Sequence, residues 1–276
     1  MTNPKRIVVF DLDETLGNFV ELGMFCDALE NNNGMEINSD EFNELIDLFP
    51  EFLRPNIISI LDFLVKKKKS NKCEKIMIYT NNRGPKLWTK RIAGYFNQKL
   101  NTKVFDDIIA AFKIRGKIIE ICRTSHEKSV DDLIRCTRIP RNTQICFLDD
   151  QIHPLMEDDN VFYINVKPYT YSFSFETMAE RYYDKYYDKY YDKYSLNRKL
   201  TKDEFIHNIT SYMKRYNYIV TKKSKVETDV DMVIGKKIIS HLEIFFKDNI
   251  KKRKTKKKRK INLKSIPKQQ TRKLFI

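Results

Sequence analysis

Three absences bound this chain. No two of its five cysteines (Cys26, Cys73, Cys122, Cys136, Cys146) stand in a Cys-x-x-Cys spacing. An odd, scattered set predicts free thiols in a reducing compartment and speaks against a disulfide framework or a zinc site. No apolar run reaches the length of a transmembrane helix. The N-terminal apolar run is broken by Asp11 too early for a signal peptide. The expectation is a soluble intracellular protein with no membrane partner. At 276 residues the chain has room for one domain with a proper core, plus appendages.

Each end of the chain also lacks one sign of charge. Residues 7–53 carry twelve Asp/Glu and no Lys or Arg, whereas residues 251–276 carry thirteen Lys/Arg and no acid. The formal net charge of +15 hides this polarity. The basic tail reads as solvated chain that binds a polyanion, serves as an import signal through Lys251–Lys260, or simply solubilises.

What is present starts with Ile7-Val8-Val9-Phe10-Asp11-Leu12-Asp13-Glu14-Thr15-Leu16. The apolar, β-branched run predicts a buried strand. It ends in two carboxylates whose spacing places them on one side. Two like charges that close are costly unless a cation or a shared proton compensates them. The bland alternative is a strand ending in a solvated acidic turn. The sharper one is a site that binds a divalent metal and attacks phosphorus.

Strand-like runs are predicted at 5–10, 75–79, 144–148 and 161–166, with helical patterns between them. Asn38 and Glu41 form a candidate capping box before Phe42, Leu45, Ile46 and Phe49. Pro55 is predicted to open a second helix that ends in Lys66–Lys69, and Pro85 a third through Trp88, Ile92 and Phe96. A fourth is predicted from about Lys128 to Cys136. Strands alternating with helices imply an α/β fold, a parallel sheet covered on both faces, with ligands at the carboxyl ends of the strands. From Arg181 the character changes. Tyr182–Tyr194 repeats Tyr-Tyr-Asp-Lys three times and ends in Tyr194. It reads either as an interaction surface or, preferably, as a helical spacer with Lys-to-Asp i,i+3 pairs. Two more amphipathic helices are expected over 203–220 and 236–250. The expected organisation is 1–180 as a core domain, 181–250 as a helical extension and 251–276 as a basic tail.

Phosphate-ester chemistry needs donors for the phosphoryl oxygens and further metal ligands. Thr80, followed by Asn81 and Asn82, ends the second strand. Asp149-Asp150 ends the third, a second acidic pair suited to oxygen-ligated Mg²⁺. Lys128 is the preferred lysine, with Lys113, Arg115 and Lys117 as rivals. Arg54 reaches the phosphate or pairs with an acid. Thr15 supports the loop. His153, just beyond the acidic pair, reads as structural.

Strand with Asp11-Leu12-Asp13-x-Thr15, strand with Thr80, helix with Lys128, strand with Asp149-Asp150: this order resembles the haloacid dehalogenase (HAD) superfamily of phosphatases. Phe52-Leu53-Arg54-Pro55 before an apolar helix, then Met77-Ile78-Tyr79-Thr80, resembles the FCP/SCP-type phosphatases that act on the carboxy-terminal domain (CTD) of RNA polymerase II. The resemblance covers about residues 5–168. Gly17-Asn18 departs from the Val-His usual in that family, and residues 81–127 carry no motif that aligns with its substrate-contacting insertion.

The resemblance implies a HAD-like Rossmannoid sheet with a minimal cap. It also implies Mg²⁺-dependent hydrolysis of phosphoserine or phosphothreonine in a protein, with the CTD as a candidate partner. Asp11 would be the nucleophile and Asp13 the acid/base. Asp11, the Asp13 carbonyl and Asp149 would hold Mg²⁺. Thr80 and Lys128 would grip phosphate oxygens, and Asp150 would support them. The alternatives are a nucleic-acid end phosphatase tethered by the basic tail and a non-catalytic HAD-like binding module. The lysine-, asparagine-, isoleucine- and tyrosine-rich composition has the flavour of a large DNA virus or a reduced eukaryote, and the expected location is intracellular, nuclear or cytoplasmic, in a host cell if the protein is viral.

Overall fold

A computed structural model describes residues 5–34, 36–84, 87–194 and 199–247. The basic tail and Pro85 therefore lie outside the described residues. The centre is a five-stranded sheet built from β1 (Arg6–Phe10), β2 (Lys75–Tyr79), β3 (Asp107–Ile109), β6 (Gln144–Asp149) and β7 (Val161–Asn165). Its order is β3-β2-β1-β6-β7 and every pairing is parallel. β1 sits in the middle, with Val8 level with Ile76 on one side and Cys146 on the other. A strand covered on both faces needs a continuous apolar run, which Ile7-Val8-Val9-Phe10 supplies.

Alternation splits these strands between two cores. Val8, Phe10, Ile76, Ile78, Cys146 and Leu148 face the larger one. Helices α1 (Val20–Asn33), α2 (Ser39–Leu48), α3 (Ile57–Lys69) and α4 (Trp88–Lys99) contribute to it. Ile7, Val9, Met77, Tyr79, Ile145 and Phe147 face the smaller one, covered by Leu133 of α5 (Val130–Thr137), Ile139 and Met156. The fold is thus α/β and Rossmann-like, as expected, and no helix among the described residues is long and apolar enough to cross a membrane.

The capping box forms as its residues predict. The Asn38 side chain accepts from the Asp40 and Glu41 amides, while Glu41 accepts from the Asn38 amide. Two predicted helix starts shift. Pro55 precedes the cap residue Asn56 instead of entering α3, because Asn56 adopts φ 65° and turns the chain first. Ser129 caps α5, so Lys128 lies in the loop before the helix rather than opening it. Helix α1 and the three-residue edge strand β3 were not expected. Both are weakly patterned: α1 mixes Glu21, Gly23 and Asp27 into its apolar positions, and β3 is too short for a period to register. The hairpin β4 (Lys113–Ile114) to β5 (Lys117–Ile118) turns on Arg115 and Gly116, both at positive φ. It carries Lys113, Arg115 and Lys117 outside the carboxylate pocket.

Two further expectations are corrected. Cys122 and Cys136 form a disulfide, closing a 14-residue separation; Cys26, Cys73 and Cys146 remain free and buried. The spacing contained no pair signal because these two cysteines meet only when the loop before α5 folds back along it. The tyrosine repeat is not a spacer. Helix α6 (Phe175–Tyr182) passes through one π-helical turn (Tyr183–Tyr187) into α7 (Asp188–Tyr194). Tyr182, Tyr187 and Tyr190 are buried. The Tyr182 ring stacks on Phe205 of α8 (Lys202–Met213) at 5.7 Å. The repeat's lysines reach across instead of along: Lys189 meets Glu44 and Lys193 meets Glu41, each at 2.7 Å. Two lysines of the repeat thereby pair with two of the acids of α2.

The last helix among the described residues, α9 (Lys225–Lys247), lies against α3. A Cβ at Gly235 would come within 2.3 Å of the Pro55 carbonyl, so glycine permits that approach. Phe205, Ile238, Leu242 and Phe245 belong to the same hydrophobic cluster as Val8 and Phe10, so the extension and the sheet share one core.

Candidate active site

The chain leaves β1 toward β2 and β3 on one side and later adds β6 and β7 on the other. The carboxyl ends of β1 and β6 therefore flank the point where strand order reverses, the usual ligand crevice of an open parallel sheet. Asp11 and Asp149 stand there. The Asp11 amide bonds the Leu148 carbonyl at 2.8 Å, which sets their register. A cavity of about 200 Å³ opens at this spot, and Asp11, Asp13, Thr80, Asn81, Lys128, Asp149 and Asp150 all line it. Seven of the eight predicted site residues are thus brought together. The exception is Arg54.

Lys128 is the hinge of the arrangement. Its ammonium, 2 % exposed, bridges Asp11 and Asp149, with the second contact at 2.7 Å. Burial raises the Asp11 carboxyl to about 7, against the pull of Lys128. Burial would also raise Asp149, but hydrogen bonds from His153 and Lys128 hold it below the usual carboxylate range. Burial raises Asp13 as well, opposed by Asn82 and by Lys128. Asp150 is raised by burial and by its neighbour Asp149. Five acidic side chains line the cavity against Lys128 and His153, which leaves it short of positive charge.

That deficit and the donor set fit a hard divalent cation. Oxygens of Asp11, Asp149 and Asp150 lie within 4.8 Å of one another. The buried Asn81 Oδ1, in the same cavity, has no hydrogen-bond partner.

The loop after Asp11 is pinned from several sides. Glu14, at φ 57°, donates its amide to the Gly17 carbonyl. Gly17 pairs with Asp13 and Leu53 in isolated bridges. A Cβ at Gly17 would come within 2.5 Å of the Phe52 carbonyl, which is why a bulkier residue has no place there. Arg54, 1 % exposed, does neither of the two things expected of it. Its guanidinium donates to the carbonyls of Thr15 (2.6 Å), Glu14 and Lys167 (2.8 Å), and lies 5.5 Å over the Tyr169 ring. It braces the loop from behind and is absent from the cavity lining. Thr15 supports the same loop, donating to Asp150 at 3.2 Å.

Sequence reasoning missed three participants. The Asn82 amide spans both oxygens of Asp13, at 3.1 and 2.8 Å, and its backbone N–H donates to Thr80 Oγ1 at 2.9 Å. His153, read as merely structural, contacts Asp149 at 3.4 Å and Glu127 at 2.9 Å through its two ring nitrogens. Burial works against its positive charge, yet Asp149 raises its pKa. Arg123 is buried and donates to the carbonyls of Thr80, Ala110 and His126, fixing the loop that presents Thr80. The placement of Asn82 beside Thr80 and of His153 four residues after Asp149 was visible in the chain. Their pairings were not.

Comparison of the chain with protein-family models, with curated proteins and with solved structures returns no match.

Proposed function

We propose that this pocket hydrolyses phosphate monoesters, with phosphoserine or phosphothreonine of a protein as substrate and Mg²⁺ as cofactor. The observation that carries this reading is the Lys128 bridge. It draws Asp11, from the end of one strand, and Asp149, from the end of another, into one small cavity with Thr80.

Asp11 is the nucleophile: its carboxylate attacks phosphorus, the P–O bond to the substrate breaks, and an aspartyl-phosphate forms. Asp13 gives its proton to the departing alkoxide, then removes one from the water that hydrolyses the acyl phosphate and restores Asp11. The raised pKa of Asp13 suits the first task, and the Asn82 amide holds its oxygens in place for both. The Thr80 hydroxyl accepts from the Asn82 amide, leaving its own proton for a phosphoryl oxygen. Lys128 balances the charge that the incoming phosphate adds. Asp11, Asp149 and Asp150 would hold Mg²⁺, which supplies charge stabilisation at the phosphoryl oxygens.

The test uses the full chain with an aryl phosphate, a phosphoserine CTD peptide and a 3′-phosphorylated oligonucleotide, each with Mg²⁺ and with EDTA. The expected result is Mg²⁺-dependent phosphate release that Asp11→Asn abolishes. Inert wild type on all three substrates, or full activity of Asp11→Asn, would overturn the reading. The resemblance in the Arg54-Pro55 block makes the CTD peptide the first protein substrate to try.

A further inference from the structure

A cavity larger than the one that holds the catalytic carboxylates opens among the described residues. It lies beside it, has a volume of about 660 Å³, and shares two residues with it, Asp13 and Asn82. A leaving group must lie against the acid that protonates it. If Asp13 is that acid, the body of the leaving group extends to the Asp13 side of the phosphate, and the large cavity occupies that side.

Its walls are apolar and aromatic. Phe19 and Met24, both buried, line it together with Trp88 of α4, Tyr216 and Tyr218. The volume falls in the range of pockets that enclose a drug-sized ligand. It exceeds what a small amino alcohol would fill and suits a few residues of peptide.

Its charge is one-sided. Asp27, Glu30 and Glu36 line it together with Asp13, and Arg91 is the one basic residue lining it among the described residues. Arg91 approaches Glu30 at 3.9 Å, and Glu30 also accepts from the Ile37 amide at 3.0 Å. Tyr216 donates its hydroxyl to Asp27 at 2.6 Å, fixing that carboxylate beside an aromatic face. Glu36 is exposed at the rim. Aromatic rings next to unbalanced carboxylates attract a cation that carries an apolar stem. The same carboxylates repel a phosphodiester backbone.

We propose that this cavity is the leaving-group subsite. It receives the residues flanking a phosphorylated serine or threonine, among them a lysine or arginine next to an apolar or aromatic side chain. The assignment rests on the phosphatase reading, and in particular on Asp13 as the acid. It also gives the C-terminal extension a part in recognition, because Tyr216 and Tyr218 come from the segment that follows α8.

Three phosphoserine peptides of equal length test it, differing only in flanks of Lys-Phe, Glu-Phe or Gly-Gly. Hydrolysis by the full chain with Mg²⁺ gives kcat/KM for each. Binding of the same peptides to Asp11→Asn is measured by calorimetry. The Lys-Phe peptide is expected to exceed the Glu-Phe peptide by tenfold or more, chiefly through KM. The double substitution Asp27→Lys, Glu36→Lys, at two exposed positions, is expected to invert that ratio, with the fold checked by circular dichroism.

If peptides are hydrolysed without regard to flank, and the double variant leaves the ratio unchanged, the subsite is overturned while the phosphatase reading stands. If no phosphomonoester is hydrolysed but the Lys-Phe peptide still binds, and the double variant abolishes that binding, the cavity stands as a basic-peptide site and the catalytic reading falls. Neither hydrolysis nor flank-dependent binding overturns both. Turnover of a 3′-phosphorylated oligonucleotide above every peptide overturns the subsite in favour of a nucleic-acid substrate.

Discussion

The small cavity at the ends of β1 and β6 and the large one beside it meet at Asp13, yet they are built on opposite plans. In the small one, Asp11 and Asp149 meet on one buried ammonium, and most polar groups are held by another. In the large one, aromatic side chains from three parts of the chain leave an open space, and its carboxylates stand with a single basic neighbour. A pocket whose groups hold each other in place has little freedom and suits a fixed reaction geometry. A pocket with apolar walls and unbalanced charge suits selection of what enters. On the proposed reading, chemistry and choice are separated in space, with Asp13 on the boundary.

The strongest way to break this division is at Asp11. Asp11→Asn removes the proposed nucleophile and should abolish phosphate release in a Mg²⁺-supported assay while leaving peptide binding intact. Lys128→Met strikes the small cavity from the other side. It leaves Asp11 without its counter-ion and Asp149 with His153 alone, and losing one member of a buried pair costs about 3–5 kcal/mol. A large drop in melting temperature with loss of activity is expected, and an unchanged melting temperature would show that the bridge contributes nothing to the fold.

The boundary residue offers a sharper cut. Asp13→Asn should slow an alkyl phosphate by about 10²–10⁴-fold, the usual range for general acid–base catalysis. An aryl phosphate, whose leaving group needs little protonation, should suffer much less. Equal losses on both substrates, measured as kcat, would remove Asp13 from the role of acid.

Behind the pockets the effects shrink. In the chain-entropy picture a cross-link closing about 15 residues contributes about 3 kcal/mol. Cys122→Ser should therefore lower the melting temperature under oxidising conditions and make it insensitive to dithiothreitol. The smallest effect concerns Glu21, buried on α1. Burial raises its carboxyl above the ordinary glutamate range, against the hydrogen bond from the Phe173 amide. The folded protein thus holds that proton to higher pH than the unfolded chain does. Stability falls as pH rises from the ordinary glutamate value through the raised one. Glu21→Gln should flatten that decline, and melting curves from pH 4 to 7 would show it. An undiminished slope would assign the decline to other groups.

Much of the small cavity was legible in the chain because its markers are local. A β-branched run followed by Asp11 and Asp13, a second run followed by Thr80, and a third followed by Asp149-Asp150 each announce a strand end within about ten residues. The large cavity was not legible. Gly23, Trp88 and Tyr216 have no common pattern, and α1 is so evenly mixed that no apolar stripe betrays it. Arg54 was legible as important and misread in its role, since an arginine before a proline says nothing about which carbonyls it will meet.

By itself the sequence determined the parallel α/β layout and which carboxylates end its strands, because strand period and end residues are properties of short stretches. Only the tertiary structure decided what surrounds them. Lys128 finds Asp11 across 117 positions and Asn82 finds Asp13 across 69, and Lys189 of the tyrosine helix reaches Glu44 across 145. Contacts of that reach depend on strand order and on how helices dock over the sheet. No local pattern records either, so the partners of these charges appear only once the chain has closed on itself.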